Sequence, residues 1–330
     1  MPALITHDTF GQDIYDQLSG TIGARRDETE AFLLGNQGPD PLFYSLLVPR
    51  LRAFNRLGSI MHNEKPNELL SALKASLAIL DENERRVGRA YALGFLCHYT
   101  LDSAMHPLVF FNEYRLCDAG EPGLSRENGS EVHAVIESEF DEMVLFTRRG
   151  ETVATFDPSR SILRADDFVL ATVSKMYAYL ALTVYGLIIP PAMFSSSVKS
   201  FRVVQRLFHS PTGTKRAILG RIEELVRPYS FYRSMSHRPR EISESEFDNR
   251  GHALWENPFT EENETRSFWD IYNDAVNRAV GNIDTFLTDG FDAQMAHEIT
   301  EDLDFSGKPT VAAVLSVQDR YAQPASSASV

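Results

Sequence analysis

One long apolar segment of the chain carries three potential metal ligands at four-residue intervals. Residues 84–106 have the periodicity of a single, nearly buried helix, and His98, Asp102 and His106 form the pattern H-x3-D-x3-H within it. A step of four residues along an α-helix rotates by about 40° and rises by about 6 Å, so these side chains lie on one face. Polar groups in such a helix are unfavourable unless they are paired or bind a metal. The segment therefore predicts a central helix with a polar stripe, and we expect it to end at Pro107.

Helical periodicity dominates the rest of the chain as well, and no strong alternating strand pattern is present. We expect Thr6 and Ser130 to cap helices and Pro66 to open one. Later helices are predicted near residues 166–189, 198–208, 213–227 and 265–288. The polar segments 111–130 and 234–263 contain Gly or Pro and are predicted to be loops, the second of them on the surface. The sequence therefore predicts an all-α protein.

Charge and cysteine usage limit the function classes. The 46 acidic and 32 basic residues give a net charge of −14, which argues against a nucleic-acid scaffold because phosphate binding needs clustered Lys and Arg. Cys97 and Cys117 form no C-x-x-C pair and are too few for a disulfide framework. No secretory signal pattern is recognisable. We therefore expect a cytoplasmic protein, and the sequence leaves its oligomeric state open.

One uncharged stretch, residues 176–198, has the length of a membrane-spanning helix. Pro190 and Pro191 interrupt it, and serines follow. We therefore predict a buried core helix here rather than a membrane span.

A second pair of potential ligands, His133 and Glu137, has the spacing H-x3-E. Zn²⁺ binds imidazole nitrogen and carboxylate oxygen, and both pairs suit it. One such pair alone is common as an ion pair on a helix surface. Two pairs within 40 residues, one of them extended by a third ligand in an apolar helix, favour a metal site. The sequence shows no G-x-S-x-G motif of a serine hydrolase, and neither cysteine has a feature that indicates activation.

The order of motifs in roughly the first 145 residues resembles the zinc-dependent phospholipase C family, which has the phospholipase C/D domain. The H-x3-D-x3-H-P element followed by H-x3-E is the most specific part of the resemblance. The segments that carry it are ITHDTF (5–10), FLLGNQGPDP (32–41), GSIMHNEKP (58–66), GFLCHYTLDSAMHP (94–107) and EVHAVIESEFD (131–141).

The resemblance implies a helical bundle with a metal cleft, and zinc-dependent hydrolysis of a phospholipid phosphodiester by a metal-bound water. It implies two or three zinc ions, since secreted members supply a further ligand through an amino-terminal Trp that this sequence does not show. It also implies Asp40 as a ligand or as the general base. The remaining implied ligands are His62, His98 and Asp102 for one zinc, His106, His133 and Glu137 for a second, and His7 for a third that Asp102 bridges to the first.

Two alternatives to a phospholipase remain at this point. One is a zinc phosphohydrolase that acts on a soluble phosphoester or nucleotide, and the other is a non-catalytic helical module stabilised by zinc. We divide the chain into a catalytic domain (1–150), a helical C-terminal extension of unknown role (151–317) and a disordered tail (318–330). Outside the motifs, His252 is expected in loop packing, and surface or capping roles are expected for His209, His237 and His297.

A basic stretch without Asp or Glu spans residues 176–222 and carries six Lys and Arg residues. The interpretation that we favour is a pair of basic helices facing acidic neighbours. The alternative is a face that contacts anionic lipid, and we expect such contact to be weak and sensitive to salt because the rest of the chain is acidic.

Overall fold

A computed structural model describes residues 3–224 and 230–310 of the chain. Short 3₁₀ helices span Asp40–Leu47, Pro49–Phe54, Ser76–Ile79 and Arg126–Asn128. The α-helices of the described ranges are α1 (Leu4–Ile22), α2 (Arg26–Gly35), α3 (Leu57–Asn63), α4 (Pro66–Ala75), α5 (Glu82–Cys117), α6 (Gly129–Arg149), α7 (Pro158–Ser161), α8 (Asp167–Tyr185), α9 (Met193–Phe208), α10 (Thr214–Glu224), α11 (Phe231–Ser234), α12 (Phe268–Leu287) and α13 (Ala293–Thr300). Strands β1 (Trp255–Glu256) and β2 (Asn263–Glu264) form one small antiparallel hairpin. The structure confirms the predicted all-α fold.

The long helix α5 lies at the centre, and α1, α2, α6, α8 and α12 all pack against it. Asp81 caps its first turn by accepting a hydrogen bond of 2.9 Å from the Glu84 backbone N–H. The helices α2 and α5 approach closely because both have glycine at their contact. A Cβ atom on Gly94 would lie 2.0 Å from the carbonyl oxygen of Phe32, so any larger residue would push the two helices apart. This contact brings the end of α2 and the segment leading to Asp40 against the middle of α5.

The predicted end of the central helix at Pro107 is wrong, because α5 continues through Pro107 to Cys117. Proline removes one helical hydrogen bond and usually breaks a helix interior. Here Leu108, Val109 and Asn112 are buried after the proline, and this packing keeps the chain helical. The loop predicted over residues 111–130 is therefore shorter in the structure, because α5 extends to Cys117 and α6 begins at Gly129.

The N-terminus of α1 is held by a side chain from another helix. Buried Asp141 of α6 accepts hydrogen bonds from the Ile5 backbone N–H (3.2 Å) and from the backbone N–H and hydroxyl of Thr6 (both 2.7 Å). Thr6 is therefore inside the first turn rather than the cap that we predicted. Ser130 likewise lies one residue inside α6, which begins at Gly129.

The polar segment 234–263 is irregular, but the prediction that it lies on the surface is wrong for part of it. Phe247 and Trp255 are buried, and the Asn112 side chain donates a hydrogen bond of 3.2 Å to the carbonyl of Phe247. The Phe247 carbonyl and the ring of Trp255, whose centre lies 5.7 Å from that of Phe111, therefore anchor this segment on α5.

Helix α8 is long and apolar enough to cross a membrane by length and composition, with a mean hydropathy of 1.3 over 18 residues. In the structure 56% of that window is buried inside the protein, where α8 packs against α4, α5 and α9. It ends at Tyr185, before the two prolines. This burial agrees with the prediction of a core helix.

The residues after position 150 pack directly against the first part of the chain. Helix α12 contacts α1 and α5, and α9 contacts the 3₁₀ helix Asp40–Leu47. The division into a catalytic domain (1–150) and an extension (151–317) stays a prediction. The tail 318–330 lies outside the described residues.

Candidate metal centre

The helices surround one cleft of about 520 Å³, and the structure brings the predicted ligands together around it. Five elements supply them: α1, the 3₁₀ helix Asp40–Leu47, α3, α5 and α6. His98 is fully buried beneath the cleft. The predicted ligands that line it are His7, Asp40, His62, Asp102, His106, His133 and Glu137, and the carboxylate of Glu113 lines it as well.

Five of these side chains form an inner cluster: His7, Asp40, His62, His98 and Asp102. The Asp102 carboxylate lies between two imidazoles, with Oδ1 3.0 Å from Nε2 of His7 and Oδ2 3.3 Å from Nε2 of His98. The Asp40 Oδ1 atom lies 3.1 Å from Nε2 of His62 and 4.0 Å from Nε2 of His98. Two compact donor sets result, one of His7, His98 and Asp102, the other of Asp40, His62 and His98. The grouping puts Asp40 beside His62 and His98, and Asp102 beside His7 and His98.

The outer cluster consists of His106, His133 and Glu137, whose ligand atoms form a third compact set. Oε1 of Glu137 lies 3.5 Å from Nε2 of His106 and 3.4 Å from Nε2 of His133. The other nitrogen of each imidazole is also engaged. Nδ1 of His106 donates to the carbonyl oxygen of Phe305 at 2.7 Å, and Nδ1 of His133 lies 2.9 Å from Oε2 of Glu113.

The same arrangement recurs in the inner cluster. Nδ1 of His62 donates to the Gly58 carbonyl at 2.7 Å, and Nδ1 of His98 donates to the Asn36 carbonyl at 3.2 Å. A carbonyl acceptor requires a proton on Nδ1, so in the neutral ring the lone pair is on Nε2, the nitrogen that faces the other ligand-type side chains. Metal-binding histidines are held in this way by a neighbouring carbonyl or carboxylate.

Two buried imidazole nitrogens without a hydrogen-bond partner indicate whether the site suits a metal. Nε2 of His98 and Nδ1 of His7 make no hydrogen bond to any described residue. Buried polar atoms of folded proteins are nearly always satisfied, so each unsatisfied one needs an explanation. The set of imidazole nitrogens and carboxylate oxygens is the one that Zn²⁺ prefers. The residues present therefore fit zinc.

A sequence profile of the zinc-dependent phospholipase C family matches residues 6–185, more than half of the chain. The protein belongs to the zinc-dependent phospholipase C family. The matched region contains the inner and outer clusters but ends well before Phe305. No curated protein and no solved structure matches the chain.

Burial and charge act in opposite directions on the histidines of this phospholipase C family member. Burial lowers the pKa of His98 to about 4, so its imidazole is neutral at neutral pH. Burial alone would also lower the pKa of His106, but the Asp102 and Glu137 carboxylates raise it to about 9. Burial would raise the pKa of Asp102, but the charge of His106 and the hydrogen bond from His7 hold it well below its usual range. Without metal the cleft therefore contains ionised carboxylates and a protonated His106, and a zinc ion held by His106 would have to displace that proton.

Three groups that hold ligands in place from another element were not predicted from the sequence: Glu113, the Phe305 carbonyl and the Asn36 carbonyl. Glu113 follows His106 by seven residues, so it lies on the same face of a continuous helix. A prediction that carried α5 through Pro107 would have found it. The two carbonyls have no signal in the local sequence, since any residue type provides one.

The predicted surface or capping role of His237 is wrong. This residue is buried, and its Nε2 lies 2.9 Å from Oδ2 of Asp141, the carboxylate that caps α1. Its partner comes from a segment almost 100 residues away, which no local pattern reveals. His297 has an exposed side chain, in agreement with the predicted surface role. The side chain of His252 is also exposed, and its Nδ1 lies 3.3 Å from both the Thr265 carbonyl oxygen and Oδ2 of Asp270.

Proposed function

We propose that this protein is a zinc-dependent, phospholipase C-like hydrolase of phosphodiester bonds. The main support for this proposal is the set of side chains that line the cleft. Four imidazoles and four carboxylates line the cleft close to one another, and no Lys or Arg is present among its described lining residues. A phosphodiester carries a negative charge that the carboxylates alone would repel. Metal ions held by these side chains supply the missing positive charge.

The histidines and carboxylates of the two clusters would hold two or three zinc ions. Bound zinc would neutralise charge on the phosphodiester and lower the pKa of the attacking water. Asp102 faces both His7 and His98, and His98 is the residue that the two inner donor sets share. The outer cluster contributes one carboxylate and two imidazoles whose Nδ1 atoms are already engaged, so that little reorganisation is needed on binding.

Asp40 is the residue to which we assign either a ligand role or acceptance of the proton from the attacking water. Burial would raise the pKa of Asp40, but the hydrogen bond from His62 and the nearby His98 hold it below its usual value. The carboxylate is therefore ionised at neutral pH, as both roles require. Its position at the start of the 3₁₀ helix Asp40–Leu47 places it at the cleft surface.

Aromatic side chains beside the clusters support a substrate with an apolar part. Phe43 and Phe110 line the cleft, with ring centres 5.0 Å from that of His62 and 4.9 Å from that of His133, respectively. Phe259 packs on Phe110 at 5.2 Å. A phospholipid would place its headgroup phosphate at the metal ligands and its glycerol backbone against these rings.

The open cleft also bears on the alternatives. Structural zinc sites are closed by protein ligands, whereas catalytic sites keep room for water or substrate. A cleft of about 520 Å³ next to all the ligands favours catalysis over a purely structural role. A soluble phosphoester as substrate remains the second candidate, because small headgroups and soluble esters share the same phosphate chemistry.

A substrate panel tests the proposal and separates the candidates. Purified protein should hydrolyse phospholipid vesicles and a soluble phosphodiester, lose activity on chelation and regain it with zinc. Hydrolysis of phosphomonoesters or nucleotides alone would favour the second candidate, and zinc-loaded protein without any hydrolysis would favour the structural module. Asp40→Asn should lower kcat by about 10²–10⁴-fold with zinc retained if Asp40 accepts the proton. Parallel loss of zinc and activity would make it a ligand.

We further propose weak peripheral contact between a membrane and the outer face of α9 and α10, within the basic stretch 176–222. The structure leaves fewer basic side chains of this stretch available for lipid, because several of them bond within the protein. The guanidinium of Arg202 donates to the carbonyls of Leu163 and Ala165. Lys199 pairs with Asp167 at 2.9 Å, and Arg216 donates to the Ser236 carbonyl. Arg206 and Arg221 stay exposed beside the exposed apolar side chains Val203, Leu207, Ile218 and Ile222.

Sedimentation with anionic and neutral vesicles tests this contact. Arg206→Gln with Arg221→Gln should reduce binding to anionic vesicles at low salt, since each basic residue near the surface contributes about 1 kcal/mol. The matched control is Arg56→Gln with Arg278→Gln, which removes two exposed charges elsewhere. A cytoplasmic location is part of the same proposal, and two buried, unpaired cysteines agree with a reducing compartment.

A further inference from the structure

A short segment near the C-terminal end of the described chain crosses the metal cleft. It follows α13, spans residues 301–308 and is called the strap below. It lies more than 100 residues beyond the region that the family profile matches. Its residue Ser306 lines the cleft together with the ligands of both clusters.

The strap contacts one ligand helix of each cluster through a single residue. The Phe305 backbone N–H donates to the carbonyl of His62 at 3.0 Å, at the end of α3. The Phe305 carbonyl accepts from Nδ1 of His106 at 2.7 Å. The Phe305 ring packs against the imidazole of His62, with 4.9 Å between ring centres. One residue of the strap therefore links an inner ligand to an outer one.

The strap is itself fixed to the fold. The hydroxyl of Tyr99 donates to the Leu303 carbonyl at 2.8 Å and to the Thr300 carbonyl at 3.2 Å. Within the strap, Oδ1 of Asp304 accepts from the backbone N–H groups of Ser306 (2.8 Å) and Lys308 (3.0 Å). These bonds hold the turn closed, so the position of the Phe305 carbonyl is set by the strap and not by the ligands alone.

The turn of the strap packs against α5 at Pro107, directly after His106, where one helical hydrogen bond is missing. Pro107 provides no N–H for the carbonyl of Ser103, and Gly307 lies against both residues. Gly307 has a φ of +71°, and a Cβ atom there would lie 2.5 Å from the Ser103 carbonyl oxygen and 2.9 Å from Cγ of Pro107. Only glycine allows the strap to come this close.

We propose that the strap is a positioning element of the metal centre, which fixes the tautomer and orientation of His106 and couples the outer cluster to the inner one. This inference rests on the zinc centre of the proposed function, but not on its substrate. An imidazole whose Nδ1 donates to a fixed carbonyl presents its Nε2 lone pair to the metal in one orientation. Loss of such a partner typically weakens metal binding by about 10–100-fold.

Gly307→Ala tests the proposal, because it moves the strap without changing any ligand. Gly123→Ala is the matched control, since Gly123 also has a positive φ (+81°) but nothing within 4 Å of its Cβ position. The full chain is stripped of metal and titrated with zinc against a chelator of known affinity. Circular dichroism and thermal unfolding establish that each variant is folded.

We expect Gly307→Ala to bind one zinc about 10–100-fold more weakly than the wild type, and Gly123→Ala to bind all zinc normally. The absorption spectrum of the cobalt-substituted protein should change only in the Gly307 variant. If Gly307→Ala does not fold, Tyr99→Phe loosens the strap while keeping the buried ring, and it should weaken zinc binding in the same direction.

Wild-type zinc affinity and an unchanged cobalt spectrum in a folded Gly307→Ala protein would overturn the proposal, as would equal losses in the Gly123 control. Because the readout is zinc binding, the outcome is independent of hydrolysis. A wild-type protein that binds zinc but cleaves no phosphodiester would contradict the proposed function and leave this comparison of variants intact.

Discussion

The inner and outer clusters use the same two kinds of ligand, but the protein holds them in different ways. The inner ligands come from four elements, and His7 and His98 are buried among packed helices. The outer ligands come only from α5 and α6, and His106 and His133 are partly exposed. The pKa of His98 is lowered to about 4, whereas that of His106 is raised to about 9. Carbonyl partners hold imidazoles in both clusters, but the inner cluster is also buried among packed helices, whereas the outer one is more exposed and has the carboxylate of Glu113 beside it.

The largest expected effect comes from His98, because it belongs to both inner donor sets. His98→Ala should remove more zinc per chain than His133→Ala, which affects only the outer set. Elemental analysis of both variants, with circular dichroism as the control for folding, checks this. Equal zinc losses in the two variants would contradict the prediction that His98 contributes to two zinc sites and His133 to one.

A smaller effect is expected at Glu113, which touches His133 without belonging to a donor set. Glu113→Gln keeps the shape of the side chain but removes the charge that faces Nδ1 of His133. Zinc should bind the outer cluster about 10–100-fold more weakly, as expected for loss of a partner of a metal-binding histidine. Chelator titration measures this, and the inner zinc should keep its wild-type affinity. Weakening of every zinc equally would show that Glu113 supports the whole fold and not one cluster.

The smallest effect on stability is expected at buried His237. Its imidazole bonds to Asp141, the α6 carboxylate that caps the helix carrying His7 of the inner cluster. Burial lowers the pKa of His237, but the hydrogen bond to Asp141 and the charges of Asp141 and Glu142 raise it overall, with Arg238 opposing them. A raised pKa stabilises the fold fully below the unfolded value of about 6.5, and this stabilisation is lost as the pH rises through the folded pKa.

The stability difference between the wild type and His237→Asn should therefore be largest in mild acid, on the order of 1 kcal/mol, and shrink at alkaline pH. Thermal unfolding at several pH values measures it. A difference that grows with pH would contradict the assigned direction of the pKa shift.

Features of the fold and the site that depend on residues close together in the sequence could be predicted, and those that depend on distant residues could not. The pairs His98–Asp102 and His133–Glu137 lie one helical turn apart, so the local sequence predicts that they share a face. The helix opened by Pro66 and the strongly periodic α12 were predicted for the same reason. The helix continuing through Pro107 could not be, because the packing of the residues after it overrides the local preference.

The contacts that orient the ligands depend on tertiary structure. Asp141 caps a helix that begins more than 130 residues earlier, and the Phe305 carbonyl reaches His106 from almost 200 residues away. A carbonyl is present at every residue, so its role cannot be recognised in the sequence. Potential ligands are therefore easier to predict from a sequence than the groups that hold them.

Zinc stoichiometry of the purified, folded protein tests the central claim most directly. Elemental analysis should find two or three zinc ions per chain. Chelation should abolish phosphodiester hydrolysis, and added zinc should restore it. A folded protein that hydrolyses phosphodiesters with less than one zinc ion per chain, and keeps that activity in chelator, would contradict the account.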